Sequence, residues 1–389
     1  MAVELERGQT MPTVRERPRG VARAPGTDVW SLSRALALGP AVWDGLLRGA
    51  AVSSPFAGWA WHRAWADAAP PAEVAASRAL VLRAADGDVQ ALLPFRLYRT
   101  RFRRVPVTAL GWAIGDLGCP DHLDVPALPE VDYRLMLQAL EPLPWDVMVL
   151  DNLAEHSPNA DRLSAGASER GWTARRSSLW VCPYLELPRS WDAYLATLSP
   201  TRRQTIRRKE RNLGRQHTVT LTDYGPDRWA EGWRHLVRLH RQRWDGPGAL
   251  GSERVERLHA ALATSAEPGA LWLVTLELDG TPAAAWYGFA MGDTVSFYQG
   301  GWDPRWERES VGAVLMGMMI RRAIERGYRT FDFLRGEEPY KTTWTGAARG
   351  TSELAITRRG WKAAALRALD GVAHWRAALR AHPEGSTRG

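Results

Sequence analysis

From Phe331 to Trp344 the chain reads Phe-Asp-Phe-Leu-Arg-Gly-Glu-Glu-Pro-Tyr-Lys-Thr-Thr-Trp, so acidic, basic and aromatic groups share one loop after a short apolar strand. Transfer of an acyl group to an amine or hydroxyl needs a group to take the acceptor's proton and a donor or cation to steady the developing oxyanion. Glu337 or Asp332 is suited to the first task, directly or through water. Lys341 is suited to the second, or to holding an acceptor phosphate. Tyr340 and Trp344, with Tyr298 on an earlier strand, are candidates for contact with substrate. Each has a plainer reading. Asp332 can bond the N–H groups of its own loop, Lys341 can be a solvated surface lysine, and Tyr340 and Trp344 can be core residues.

A donor site is expected just upstream, in Arg305-Trp-Glu-Arg308-Glu-Ser310-Val311-Gly312-Ala313, between a strand and a helix. The unbonded N–H groups of a helix start attract phosphate oxygens, and glycine lets the backbone come close to them. Arg305 and Arg308 can pair with phosphate. An ordinary capped helix whose Gly312 permits close packing is the alternative. A third set is the basic run Thr201 to Arg215, where Arg203, Arg207 and Arg211 recur every four residues and share one helical face. That row suits an anionic substrate or an RNA backbone, or it is a solvated basic face.

Composition narrows the classes. The 389 residues suffice for two domains, and the balance of apolar, Gly and Pro residues is that of a globular protein. The net charge is +8 with Arg far in excess of Lys, which favours an anionic ligand such as a nucleotide-bearing donor; a codon bias explains the Arg excess equally well. Cys119 and Cys182 form neither a metal cluster nor a disulfide framework. His217, His235 and His240 lack partners at ligand spacing, so no metal is expected. The chain shows no signal-peptide pattern and no apolar run of membrane-spanning length, and a cytoplasmic protein is expected.

These groups need a scaffold. A strand, Asp86-Gly87 and a partner strand are mirrored by a strand, Asp279-Gly280 and a partner strand. A helix over 130–140 and a strand over 146–151 are mirrored by a helix over 310–326 and a strand over 330–334. The similar offsets, near 180 to 190 residues, imply one α/β domain present twice, with a boundary near Pro188. We therefore expect a tail over 1–27, one domain over 28–187, a second over 188–358, and a C-terminal helix and tail over 359–389. A helical pattern is expected from Trp30 to Gly49 and a continuous helix from Trp191 to Arg215.

Four segments carry a resemblance: Leu198-Ser-Pro-Thr-Arg-Arg through Arg215; Leu239-His-Arg-Gln-Arg-Trp244; Gly300-Gly-Trp-Asp-Pro304 with Ser310-Val-Gly312; and Phe331 to Trp344. In order and spacing they resemble GNAT-type acetyltransferases of the CelD-like family of cellulose and exopolysaccharide biosynthesis proteins, related to the FemAB peptidyltransferases. The resemblance is good over 190–357 and weaker over 28–187. It implies an α/β (α+β) fold of two tandem GNAT-like domains, each a mixed central sheet flanked by helices, the second binding an acyl-CoA donor. It matches Lys341, after Tyr340, with a lysine that assists the reaction in FemAB relatives. Glu309 and Val314 depart from the Gln/Arg-x-x-Gly-x-Gly/Ala donor signature. The implied function is acyl transfer to an amine or hydroxyl of a sugar, sugar nucleotide or small metabolite. The alternatives are a FemAB-like enzyme using aminoacyl-tRNA, or a non-catalytic accessory of polysaccharide synthesis.

Overall fold

The computed structural model describes residues 26–360 except 51, 103–104 and 245–247. The expected tail over 1–27, apart from residues 26 and 27, and the C-terminal helix and tail expected over 359–389, apart from residues 359 and 360, lie outside the described residues.

Among the described residues twelve strands form one sheet: β1 (Gly26–Ser31), β2 (Arg78–Arg83), β3 (Val89–Phe102), β4 (Val105–Trp112), β5 (Val147–Ala154), β6 (Thr173–Glu186), β7 (Val219–Asp223), β8 (Leu271–Leu278), β9 (Thr281–Met291), β10 (Thr294–Trp302), β11 (Thr330–Asp332) and β12 (Ala348–Thr357). The helices are α1 (Leu32–Leu36), α2 (Pro40–Trp43), α3 (Trp59–Ala68), α4 (Pro71–Ala76), α5 (Tyr133–Leu140), α6 (Pro158–Glu169), α7 (Trp191–Thr197), α8 (Pro200–Gln216), α9 (Trp229–Trp244), α10 (Glu253–Ser265), α11 (Val311–Glu325) and α12 (Pro339–Thr342).

The strand order is β1-β2-β3-β4-β5-β12-β6-β11-β10-β9-β8-β7. Read from each end inward, the order is the same: four antiparallel-linked strands, then a parallel pair, β4 with β5 or β10 with β11. The next strand in each case comes from the other half. β12 lies beside β5, β6 lies beside β11, and β12 and β6 pair with each other at the centre. The halves thus interlock by exchanging their last strands, and the backbone donors that either half would leave at an open edge are satisfied by the other.

Local chemistry explains the elements. Asp279 and Gly280 both have positive φ, 50° and 79°, as a two-residue turn matched to strand twist requires. Ser199 accepts from the Arg202 N–H, and Pro200 stands in the first turn of α8. That signal divides the continuous helix expected over 191–215, because Leu198 is extended and ends α7. The segment expected to be helical from Trp30 begins instead within β1, which pairs along its length with β2. Apolar residues at mixed spacing were satisfied there by a strand followed by short helical turns. β12 runs for ten residues with a neighbour on both edges.

One buried cluster spans both halves: Phe56 and Trp61 from the first pack on His259, Phe289 and Tyr298 from the second. A second cluster joins α11 to β8–β11. Burial of each large side chain here stabilises by roughly 1.5–3 kcal/mol. The resulting wall fixes the position of β10.

Candidate active site

β10 and β11 pair in parallel only over Thr294–Ser296 and Thr330–Asp332. They then part. The chain after β11 follows β6, with Phe333 N–H donating to Pro183 O (2.9 Å) and Gly336 N–H to Val181 O (3.0 Å). β10 stays with β9 through a register shift between Phe297 and Gln299. Beyond Ser296 one edge of β10 therefore faces a cleft instead of a strand. At Gly301 the helix α9 crosses β10 so closely that a Cβ would overlap the backbone of Leu239 and His240. This contact sets Arg243 and Trp244, at the end of α9, over the cleft.

The cleft holds a cavity of about 330 Å³. Its apolar walls include Trp286, Phe297, Trp302, Leu315, Met316 and Trp344, and Lys209, Arg243, Glu307 and Ser310 supply polar groups. Ser310, Val311, Gly312 and Ala313 bring the start of α11 into the wall. Ser310 is left-handed (φ 56°) and makes no side-chain cap; the Ala313 N–H already donates to Ser310 O (2.9 Å), so the Val311 and Gly312 N–H groups carry the positive end of this 15-residue helix at the groove. Gly312 stands against Trp302: a Cβ there would lie 3.0 Å from Trp302 Cδ1. These features fit a phosphate-bearing donor with a narrow arm.

A smaller, polar cavity of about 80 Å³ adjoins it; Arg243, Phe297, Gly300 and Tyr340 line both. Its other walls include Cys119, Asp121, Gln299, Arg335, Glu338 and Lys341. The Arg243 guanidinium lies over the rings of Trp244 (4.5 Å) and Tyr340 (4.8 Å). Burial, with Glu338 adding to it and Arg243 opposing, pushes the Tyr340 phenol up to about 12. It is a neutral hydrogen-bond donor at physiological pH.

The loop that carries Tyr340 is held from below. Lys341 is buried, and its Nζ donates to Arg335 O (2.6 Å) and Leu334 O (3.4 Å) and lies 2.9 Å from Glu338 Oε2. Asp332 is fully buried. Its Oδ1 accepts from Leu334 N–H (2.7 Å), and its Oδ2 accepts from Arg349 and lies 3.2 Å from His122 Nε2, a charge contact outside hydrogen-bond alignment. Burial raises the Asp332 carboxyl, but His122 and Arg349 outweigh it and hold the group well below the usual carboxylate range. A carboxylate so engaged is a poor proton acceptor and a good anchor for the strand end. Glu337 is exposed and does not line the polar cavity; Glu338 does.

Tyr298 reaches the polar cavity with its ring and buries its hydroxyl, which donates to Gly118 O (2.9 Å) and lies 3.3 Å from His259 Nε2. Tyr287 contacts the other imidazole nitrogen at 3.0 Å. With burial holding His259 neutral, down at about 3, this chain reads as Tyr287 O–H to Nδ1 and Nε2–H to Tyr298.

The donor segment is only partly gathered. Ser310 to Ala313 line the groove, whereas Arg305 turns back onto the buried Asp303 (Nη2 to Oδ2, 2.6 Å) and Arg308 is exposed outside the lining. On α8 the row Arg203, Arg207 and Arg211 lies off the cavity; Arg207 pairs with Asp192 at 3.0 Å. Lys209 lines the groove, together with a side cavity that also contacts Arg202, Thr205 and Ile206. Trp344 is a buried wall residue. Sequence reasoning missed Lys209, Arg243, Gln299 and Asp121. Lys209 alone had a signal, being three residues from Ile206 and four from Leu213, the apolar positions that mark the inward face of α8.

The equivalent cleft of the first half is filled by its own chain. β4 and β5 pair over two residues and part, but Leu123 then bridges Leu153 in parallel, with Leu123 N–H on Asn152 O (2.7 Å) and Ala154 N–H on Leu123 O (3.1 Å). Asp121 and Cys119, from the same segment, instead wall the second half's polar cavity.

A parallel pair of strands that soon part recurs in each half, and the architecture is GNAT-like, a mixed sheet flanked by helices built from two interlocked units. Residues 200–342 match the sequence model of an acetyltransferase (GNAT) domain. The chain resembles the crystal structure of FemX at 12% identity, over 80% of this chain and 94% of that one, with a TM-score of 0.56. It also resembles a conserved protein of unknown function from Bacteroides thetaiotaomicron VPI-5482 at 15% identity, over 82% and 98% of the two chains, with a TM-score of 0.51. Likeness at these identities is likeness of fold. No curated protein matches the sequence. Among the described residues no helix is long and apolar enough to cross a membrane, and no group of three or more His, Cys, Asp or Glu residues is arranged to hold a metal ion.

Proposed function

We propose that the protein is an acyltransferase that moves an acyl group from acyl-CoA to an amine or hydroxyl, with the unit over 188–358 carrying the site and the unit over 28–187 lacking a donor groove of its own. The observation that carries this reading is the 330 Å³ groove running from the start of α11 to Tyr340, where it meets the polar cavity. In this reading the first-turn N–H groups of α11 receive donor phosphates, aided by Lys209. The unpaired edge of β10 faces the acyl carbonyl. Tyr340 donates to the leaving sulfur, and Glu338 takes the acceptor's proton, directly or through water. Lys341 holds the loop in place. Asp332 anchors it, and Glu337 stands outside.

The acceptor is a sugar, sugar nucleotide or small metabolite of the cytoplasm, in line with the CelD-like resemblance to polysaccharide biosynthesis proteins. One observation favours a second reading: α8, which brings Lys209 to the groove, also carries the exposed Arg211 and the half-buried Arg203 on another face, charges that an RNA-bound donor would use. Titration with coenzyme A and with charged tRNA separates the two. Saturable coenzyme A binding that is lost in Gly312→Leu is expected. Binding of tRNA that falls steeply with salt and depends on Arg203 and Arg211, with no response to coenzyme A, overturns the first reading in favour of the second.

A further inference from the structure

A cavity of about 350 Å³ lies apart from the donor groove and its polar neighbour and shares no lining residue with either. It opens where the segment before α3 meets the end of α10 and the start of β8 and end of β9. Its lining includes the apolar Trp61, Leu262, Leu271, Phe289 and Met291 and the carboxylates Asp44, Asp124 and Glu267.

Three observations bear on what it takes. Asp124 is only 3% exposed, and its two oxygens differ: Oδ1 accepts from Ser157 Oγ (2.8 Å), Asn159 Nδ2 (3.1 Å) and Val125 N–H (2.8 Å), while the buried Oδ2 has no hydrogen-bond partner. A carboxylate oxygen so left costs free energy until something donates to it. The C-terminal end of α10 reaches the cavity at Leu262, Ala266 and Glu267, so the negative end of a 13-residue helix adds to the carboxylates. The opposing positive end, that of α3, is already answered by Asp44, whose Oδ1 accepts from Trp59 N–H at 2.7 Å. Among the described residues Arg48 is the base that lines the wall, and it folds over its own turn, with Nη2 close to Gly45. Burial raises both Asp44 and Asp124, and Glu267 adds to the effect on Asp44; a bound cation would relieve each.

We propose that this cavity binds a small organic cation, an ammonium group carried on an apolar body, with the ammonium among Asp44, Asp124 and Glu267 and the body against Trp61 and Phe289. The site is separate from acyl transfer, but its far wall is the same aromatic layer that supports Tyr298, since Phe289 and Trp61 contact that ring at 5.2 and 6.3 Å between centroids.

The test is calorimetric titration of the full chain with phenethylammonium, and with 2-phenylethanol as its neutral counterpart. Saturable binding of the ammonium, at least tenfold tighter than that of the alcohol, is expected. Asp124→Asn and Glu267→Gln should each weaken it severalfold, and Ala266→Phe, which fills the cavity, should abolish it, while Lys341→Ala leaves it unchanged. Circular dichroism identifies any variant that has not folded. Because Glu267 makes no buried contacts of the kind Asp124 does, Glu267→Gln keeps the test open if Asp124→Asn unfolds. Equal affinity for the alcohol, no saturable binding of the ammonium, or full binding in Ala266→Phe overturns the proposal.

Discussion

Arg335 reaches from one half of the protein to the other: its Nε lies 2.6 Å from Asp121 Oδ1, and its backbone N–H donates to Asp121 Oδ2 at 3.0 Å. Its guanidinium also bonds Pro120 O and stacks 5.5 Å from the centre of the Trp180 ring. The loop bearing Tyr340 and Lys341 is therefore set by a carboxylate from the first half of the chain. Removing one partner of such a pair strands the other. Asp121→Ala should cost about 3 kcal/mol of stability, measured by urea unfolding, and should lower kcat/KM for acyl transfer more than tenfold. Asp121→Ala with Arg335→Met should be less destabilised than the sum of the two single changes. Additive losses would show that the contact does not couple the halves.

Tyr340 stands where the two cavities meet, with a phenol held neutral up to about pH 12. Tyr340→Phe removes the donor and keeps the ring under Arg243. We expect kcat to fall by about 10²- to 10⁴-fold with donor affinity little changed, read from steady-state kinetics and a separate donor titration. Since burial raises this group, wild-type activity should not fall between pH 8 and 10 through its ionisation. A parallel rise in donor Kd would instead make Tyr340 a binding residue.

Faces of α8 can be told apart. Lys209 lines the groove, whereas Arg207 is held by Asp192 outside it. Lys209→Ala should weaken coenzyme A roughly tenfold, the scale of one charge-assisted contact. Arg207→Ala should leave that affinity within twofold. The reverse pattern in a direct binding assay would place the phosphates on the outer face.

Acid should destabilise the fold early. Burial lowers His62 to about 4 and His259 to about 3 from an ordinary 6.5. Both are uncharged in the folded protein, so between pH 6.5 and 4 the unfolded chain binds more protons than the native one. Stability is then full above pH 6.5 and lost as pH falls, by up to about 1.4 kcal/mol per pH unit for each histidine. Asp332, lowered by His122 and Arg349, adds a loss only below its ordinary value of 3.8. Urea midpoints at pH 7, 6 and 5 test this, and a flat profile would count against it; His259→Gln should shallow the slope.

The α/β class, the tandem plan, the Asp279-Gly280 turn and a helix expected over 310–326, found over 311–325, were legible in the sequence, because these rest on local rules: turn residues with positive φ, helical periodicity and caps. Ser310–Ala313 and Tyr340 both line one groove, joined in sequence by α11, the short β11 and the loop after it. The tertiary structure decided which charges face inward. Arg305 was captured by Asp303 two residues away, Lys341 by the carbonyls of its own loop, and Asp332 by His122 and Arg349, pairings that depend on distances folding sets. The row Arg203–Arg207–Arg211 was a correct helical face, but helical spacing says nothing about which face meets the core; Ile206 and Leu213 settled that by turning Lys209 toward the groove. Most of all, no local pattern records that β6 and β12 change places. That exchange satisfies the exposed sheet edges of both halves at once, and it is what carries Asp121 to Arg335 and gives the loop from Phe331 to Trp344 its shape.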